Sequence, residues 1–160
     1  MALVGRLEKL LQERKVKWEV RPHPEAYTAP KVAETTHVPG RKVAKVVVLH
    51  ESTGAFIMAV VPATDHVDLG TLNYMTGRPL DRLATEHELG WLFPDCEVGT
   101  MPPFGLLYDM EMYVDNAFHE LDEIYFQAGN HHELVRMKYE DFRRAAGPFS
   151  GEYTLHRELG

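Results

Sequence analysis

Two stretches of this chain hold residues whose type and spacing could do chemistry. The first centres on Lys45, in the run Lys42-Val43-Ala44-Lys45-Val46-Val47-Val48-Leu49. Alternation places Val43, Lys45, Val47 and Leu49 on one face of a strand, and Ala44, Val46 and Val48 on the other. A strand without a polar face reads as central and covered on both sides. An ammonium there needs an anionic partner or a wet cleft, unless its stem packs and its head snorkels to water. The strand alone leaves both outcomes open. The second stretch is the loop Gly99-Thr100-Met101-Pro102-Pro103-Phe104-Gly105. Pro102 and Pro103 fix φ and remove N–H donors, while Gly99 and Gly105 permit turns that other residues resist. Such a loop is stiff and presents carbonyls that could orient hydroxyl or ammonium groups of a ligand. Its plainer reading is a tight connection into the next strand.

The elements that must position these residues follow from periodicity. Leu3, Val4, Leu7, Leu10 and Leu11 predict an amphipathic first helix, and Val16 to Val20 alternates like a strand. Thr28 is placed to cap a short helix through Ala33 and Glu34, and Val38-Pro39-Gly40 reads as a turn. After the Lys45 strand, Ser52-Thr53-Gly54 predicts a hairpin into Phe56–Val61. Asp68 caps a helix with Leu69, Leu72 and Met75 that Gly77 ends, and Thr85 with Glu88 has capping-box spacing. Beyond the stiff loop, Leu106, Tyr108, Met110, Met112 and Val114 predict one apolar strand face. Two strands, 123–127 and 133–138, precede a helix from Tyr139 to Ala146 that stops at Gly147, and 148–160 reads as a polar tail. Hairpin-connected strands with few long helices predict an α+β fold with a mixed, curved sheet.

At 160 residues the chain reads as a single domain, 1–160, with length for a real hydrophobic core. Charges interrupt the apolar pattern of the first helix, so it reads as neither signal peptide nor membrane span. The single Cys96 argues against a disulfide framework and suits a reducing cytoplasm, where it reads as a small apolar residue rather than a nucleophile. A net charge of −7 excludes a general attraction for phosphate backbones. It leaves room for a local basic cleft near the central strand, built from Lys31, Arg41, Lys42 and Lys45, although a solvated face explains the first three.

Taken in order, His23, Thr28-Ala29, Val38-Pro39-Gly40, Ala44-Lys45, Leu49, the Gly99–Gly105 loop, Tyr113-Val114-Asp115 and Ala128-Gly129-Asn130-His131 form a recognisable set. It resembles the YbaK/prolyl-tRNA synthetase editing-domain family of aminoacyl-tRNA deacylases over roughly residues 20–145. The resemblance implies a six- to seven-stranded barrel-like sheet with surrounding helices. It also implies hydrolysis of the ester joining a wrong amino acid to the acceptor end of tRNA. By position, Lys45 matches the family's cleft lysine near the terminal adenosine, and Gly99-Thr100-Met101-Pro102-Pro103 matches the loop that holds the aminoacyl end. Phe104 and Gly105 complete that loop. Gly129 and His131 match an element shaping the amino-acid pocket, and His23, Tyr27 and Thr28 fall where the N-terminal segment lines the cleft. Asp115 matches a strand-end aspartate better read as bracing a neighbouring loop. This chain departs from the family with Val46, where a small hydroxyl residue often follows the lysine, and with Met101, which would narrow the pocket.

Aminoacyl esters are activated, so their hydrolysis needs positioning and modest electrostatic help. The chain has no Gly-x-Ser-x-Gly elbow and no His-Glu-x-x-His element, and His131-His132-Glu133 alternates across any strand. Neither a metal nor a cofactor is expected. The family implies substrate-assisted attack by water beside the ribose hydroxyl, with the loop backbone holding the aminoacyl group and Lys45 anchoring the terminal nucleotide. Alanine, serine, threonine and cysteine esters all remain candidates. A synthetase could deliver the tRNA, though no partner motif is visible. Two other readings stay open: a module that binds a nucleotide, the tRNA end or a synthetase without turnover, and a hydrolase of small free esters.

Overall fold

The computed structural model describes residues 4–156. Helix α1, Gly5–Glu13, buries Leu7, Leu10 and Leu11 as its spacing requires; Leu3 lies outside the described residues. Helix α2, Ala29–Thr36, starts at Thr28, whose side chain accepts from the Lys31 amide, with Pro30 in the first turn. Helix α3, Leu69–Thr76, ends at Gly77 in the left-handed region (φ 67°). Asp68 stands at its N-cap position but accepts from the Thr71 hydroxyl (2.7 Å) instead of a helix amide. Helix α4, Glu86–Leu92, has the full Thr85–Glu88 capping box. Helix α5, Tyr139–Ala146, buries Tyr139, Phe142, Ala145 and Ala146 and stops at Gly147.

The strands are β1 Glu19–Pro22, β2 Ala44–Glu51, β3 Phe56–Pro62, β4 Asp65–Val67, β5 Leu80–Leu83, β6 Met112–Asp115, β7 Glu123–Gln127, β8 Glu133–Lys138, β9 Phe149–Gly151 and β10 Thr154–His156. They form a five-stranded sheet in the order β5-β2-β3-β6-β9, a three-stranded sheet β1-β8-β7 and a pair β4-β10. The larger sheet is mixed, with β2–β3 and β2–β5 antiparallel and β3–β6 and β6–β9 parallel. Lys45 therefore lies on a strand that pairs with β3 along Ala44–His50 and with β5 only at its far end, from Leu49 to Glu51.

The α+β class holds, with five helices and mixed sheets among the described residues. No closed barrel forms among the described residues, and the larger and the three-stranded sheets meet at one bridge, Val43 to Tyr125. Beneath that junction Ala26, Val32, Ala33, Val38 and Ala63 pack with Val43, Tyr125 and Leu134, and this wedge under α2 accompanies the divergence of the strands. The strand expected through Leu106 to Val114 is also shorter. Residues Gly105–Tyr108 form a 3₁₀ turn, Asp109 takes φ 57°, and the Met110 amide returns to the Gly105 carbonyl, so only 112–115 pair. The first strand runs 19–22 rather than 16–20. The polar tail is ordered as far as it is described. Tyr153, 1 % exposed, donates its hydroxyl to the carbonyls of Val60 and Tyr113 and locks β9 and β10 onto the sheets.

Candidate active site

The segment from His23 to Thr28 lies along the β7–β8 connection. The His23 amide donates to the His132 carbonyl (2.8 Å) and the Ala26 amide to the His131 carbonyl (3.0 Å). In return, His131 Nδ1 stands 3.2 Å from the Ala26 carbonyl. A carbonyl only accepts, so the neutral ring carries its proton on Nδ1 and leaves Nε2 with a lone pair. His23 repeats this arrangement, with Nδ1 2.7 Å from the Pro24 carbonyl, and its buried Nε2 has no hydrogen-bond partner among the described residues. The Tyr27 ring, exposed at the surface, sits 4.4 Å from the His131 ring. Its phenol donates to Glu25 Oε1, which holds it above the ordinary tyrosine value.

The glycine loop is knotted to this hairpin by Glu97, a residue the sequence motifs did not single out. Its amide donates to the Gly129 carbonyl (2.9 Å), and its carbonyl receives both the amide and the hydroxyl of Thr100. Glu97 Oε1 accepts from the His131 amide (3.0 Å), and the Gly129 amide closes the ring onto the Thr100 carbonyl (2.9 Å). Gly99 (φ 88°) and Gly129 (φ 121°) both occupy conformations that a side chain would strain. At Gly129 a Cβ would also come within 2.7 Å of Val4 on the approach to α1. This knot brings His23, Tyr27, Thr28, Gly99, Thr100, Gly129 and His131 into one neighbourhood.

Met101, Pro102, Pro103, Phe104 and Gly105 go elsewhere: all are buried, and Met101 and Phe104 belong to the main core. Phe104 packs edge-on against Phe126 and Phe142 at 5.5 and 5.4 Å. Met101, expected to wall the pocket, is 6 % exposed within that core.

Lys45 is half-buried and donates Nζ to the Asp65 carbonyl on β4 (2.6 Å). It shares its face of β2 with Val43, in the cluster beneath α2, and with Leu49, in the cluster with Leu72 and Tyr153. Ala44 and Val48, on the opposite face, pack in the core that holds Met101 and Phe104. Lys45 and those loop side chains thus lie on different faces of the sheet. Val43, two residues before Lys45 on the same face, belongs to the α2 cluster, whose Ala26 bonds to His131. Gln127, also missed from sequence, stands on β7 two residues beyond the Val43–Tyr125 bridge, with its buried Nε2 lacking a partner among the described residues.

Of the other expected cations, Lys31 pairs with Glu34 (3.0 Å) and Lys42 with Glu123 (3.8 Å). Arg41 edges a depression of about 780 Å³ shared with Asp65, Asn116 and Glu152. Asp115 braces its surroundings, accepting from the amides of Ala117 (2.9 Å) and Tyr153 (3.3 Å). Burial pushes the Cys96 thiol up to about 11, which removes its nucleophilic form near neutrality. No helix among the described residues is long and apolar enough to cross a membrane.

The α+β fold of this chain is seen in solved structures. The hypothetical protein APE2540 superposes with a TM-score of 0.84 at 19 % identity, over 94 % of this chain and 100 % of its own. A protein described as a "putative trans-editing enzyme for prolyl tRNA synthetase" superposes at 0.79 and 22 % identity, over 95 % and 96 % of the two chains. At these identities the likeness establishes the fold. No curated protein sequence matches the chain. The chain belongs to the aminoacyl-tRNA editing domain family, whose model matches residues 23–145.

Proposed function

We propose that this protein hydrolyses the ester of mischarged tRNA in trans, by substrate-assisted attack. The observation that carries the reading is the Glu97 knot, which fixes Gly99–Thr100 against Gly129–His131 beneath Tyr27. The terminal adenosine enters between the start of α2 and Lys45, and the aminoacyl group rests against the Gly99–Thr100 backbone. Water, oriented by the neighbouring ribose hydroxyl, adds to the ester carbonyl. The bond from carbonyl carbon to ribose oxygen then breaks, the ribose oxygen takes the proton, and the amino acid leaves as its carboxylate. Lys45 anchors the terminal nucleotide, a charge-assisted contact of about 1.5–3 kcal/mol. To serve the substrate its ammonium turns from, or shares, the Asp65 carbonyl. The protein acts in the cytoplasm on the tRNA acceptor end, with delivery by a synthetase compatible with the reading.

The test is single-turnover release of amino acid from alanyl-, seryl-, threonyl- and cysteinyl-tRNA. Release from at least one of these is expected, and Lys45→Ala should slow it on the order of 100-fold while the thermal midpoint stays within a few degrees. Binding of all four without release would make the protein a non-catalytic module. Parental rates in Lys45→Ala would remove that lysine from the site.

A further inference from the structure

Helix α2 packs through Val32 and Ala33 with Tyr125 and Leu134, on the face of the β1-β8-β7 sheet that also carries Arg136 and Lys138. The β1–β8 register runs from Pro22 opposite Glu133, next to His23 and His132, to Glu19 opposite Arg136. Three residues of strand separate the two ends, about 10 Å at the usual rise. There the surface sinks into a groove of about 340 Å³ lined by Lys15, Lys17, Trp18, Arg136, Lys138 and two carboxylates, Glu19 and Asp141.

The charge of this groove is opposite to that of the protein. Both carboxylates are already engaged by arginines that do not line it, Glu19 by Arg21 (2.6 Å) and Asp141 by Arg144 (3.0 Å). Arg136 is held by Glu123 at 2.6 Å and keeps its guanidinium above the usual value through that bond. Lys15, Lys17 and Lys138 are exposed, and no ion pair holds any of them among the described residues. A chain of net charge −7 thus keeps an uncompensated cationic groove at the end of the very ladder that carries its candidate site. The α1 C-terminus, whose last turn has no basic residue, accounts for one nearby lysine through the helix dipole but not for Lys138 across the groove.

We infer that this groove is a phosphate-binding track for the RNA stem that follows the terminal adenosine. The inference rests on the tRNA reading above and adds the surface that holds the tRNA body. About 10 Å is the advance of roughly three stacked nucleotides, so an RNA end seated by His131 has its next phosphates over Lys17, Arg136 and Lys138. The contacts are to backbone, so they supply affinity and orientation without reading sequence.

Three measurements test this with the full chain. In fluorescence anisotropy with uncharged tRNA, Lys15→Glu/Lys17→Glu/Lys138→Glu should weaken binding roughly tenfold or more and lower the slope of log affinity against log salt by about 2–3. Lys9→Glu, one exposed reversal on α1 outside the groove, is compared with Lys17→Glu, the same change of charge inside it, and should change affinity less than about twofold. With aminoacyl-tRNA, the triple variant should raise KM and leave kcat near parental. Unchanged tRNA affinity and salt slope in the triple variant overturn the track, whatever the wild-type chain hydrolyses. A wild-type chain that binds tRNA through the groove but releases no amino acid upholds the track and overturns the deacylase reading instead. A loss in Lys9→Glu equal to that in Lys17→Glu reduces the effect to net charge and also overturns it.

Discussion

The two halves of the loop from Gly99 to Gly105 meet opposite fates. Gly99, exposed, and Thr100, buried, are bound into the knot with Gly129 and His131 through Glu97. Met101 to Gly105 turn inward and fill the core between the sheets and α5. One motif therefore both joins the knot and closes a core. The prolines link the tasks: they stiffen the chain just past the knot, so that the half in the core fixes the half held by the knot. The geometry teaches that a contiguous motif need not be a contiguous site.

The largest expected effect that could break this division is on stability. Phe104→Ala removes a ring that is fully buried between Phe126 and Phe142, and should cost about 3–5 kcal/mol in denaturant unfolding. Met101→Gly should likewise cost about 2–5 kcal/mol, with an unchanged pattern of hydrolysed esters, because its side chain lies in the core. A broadened ester pattern in a still-folded Met101→Gly protein would return that residue to the pocket and erase the distinction between halves.

The glycines at the two ends sharpen it. A Cβ at Gly105 would lie 2.6 Å from the Met110 carbonyl oxygen, a backbone atom that cannot step aside. Gly105→Ala should therefore destabilise by about 1–3 kcal/mol. At Gly99 a Cβ would meet only His131 Cε1 at 3.9 Å, so the penalty is the positive φ alone, of order 1 kcal/mol. Calorimetric midpoints should thus fall further for Gly105→Ala, while ester hydrolysis should suffer more in Gly99→Ala. A reversed order would mean that the outer half supports the fold.

Much of the framework was legible in the residues, and the gaps have definite causes. Local signals survived where they act locally: Thr28 and Thr85 cap helices, Gly77 and Gly147 end them, and the 123–138 hairpin pairs in register. The alternation of Leu106 through Val114 misled because Asp109 in the left-handed region and the Met110–Gly105 turn interrupt it, leaving Met112 and Val114 alone on a strand. Strands β9 and β10 are three residues long, too short for a periodic signal, and exist through the distant anchor of Tyr153 on Val60 and Tyr113. The residues that meet at the knot were readable as types and order. Their wiring was not, because Glu97 acts mostly through its backbone, which any residue could supply, and only its carboxylate marks it. Gln127 shows the same limit, since the partnerless state of a buried amide depends on what surrounds it in space.

Glu97 also gives the finest test of the comparison. Its side chain contributes one hydrogen bond, to the His131 amide, while its amide and carbonyl make the bonds to Gly129 and Thr100. Glu97→Ala should keep the backbone knot and cost about 0.5–1.5 kcal/mol or less, since the residue is exposed. Its consequence should fall on the position of His131, and so on KM rather than on the fold. Glu97→Gln retains a carbonyl oxygen that can accept from the same amide and should restore most of the parental KM. Rescue by glutamine separates orientation from charge. A glutamine variant as impaired as the alanine one would mean that the negative charge itself acts at the cleft, and Glu97 would then belong among the groups that meet the substrate.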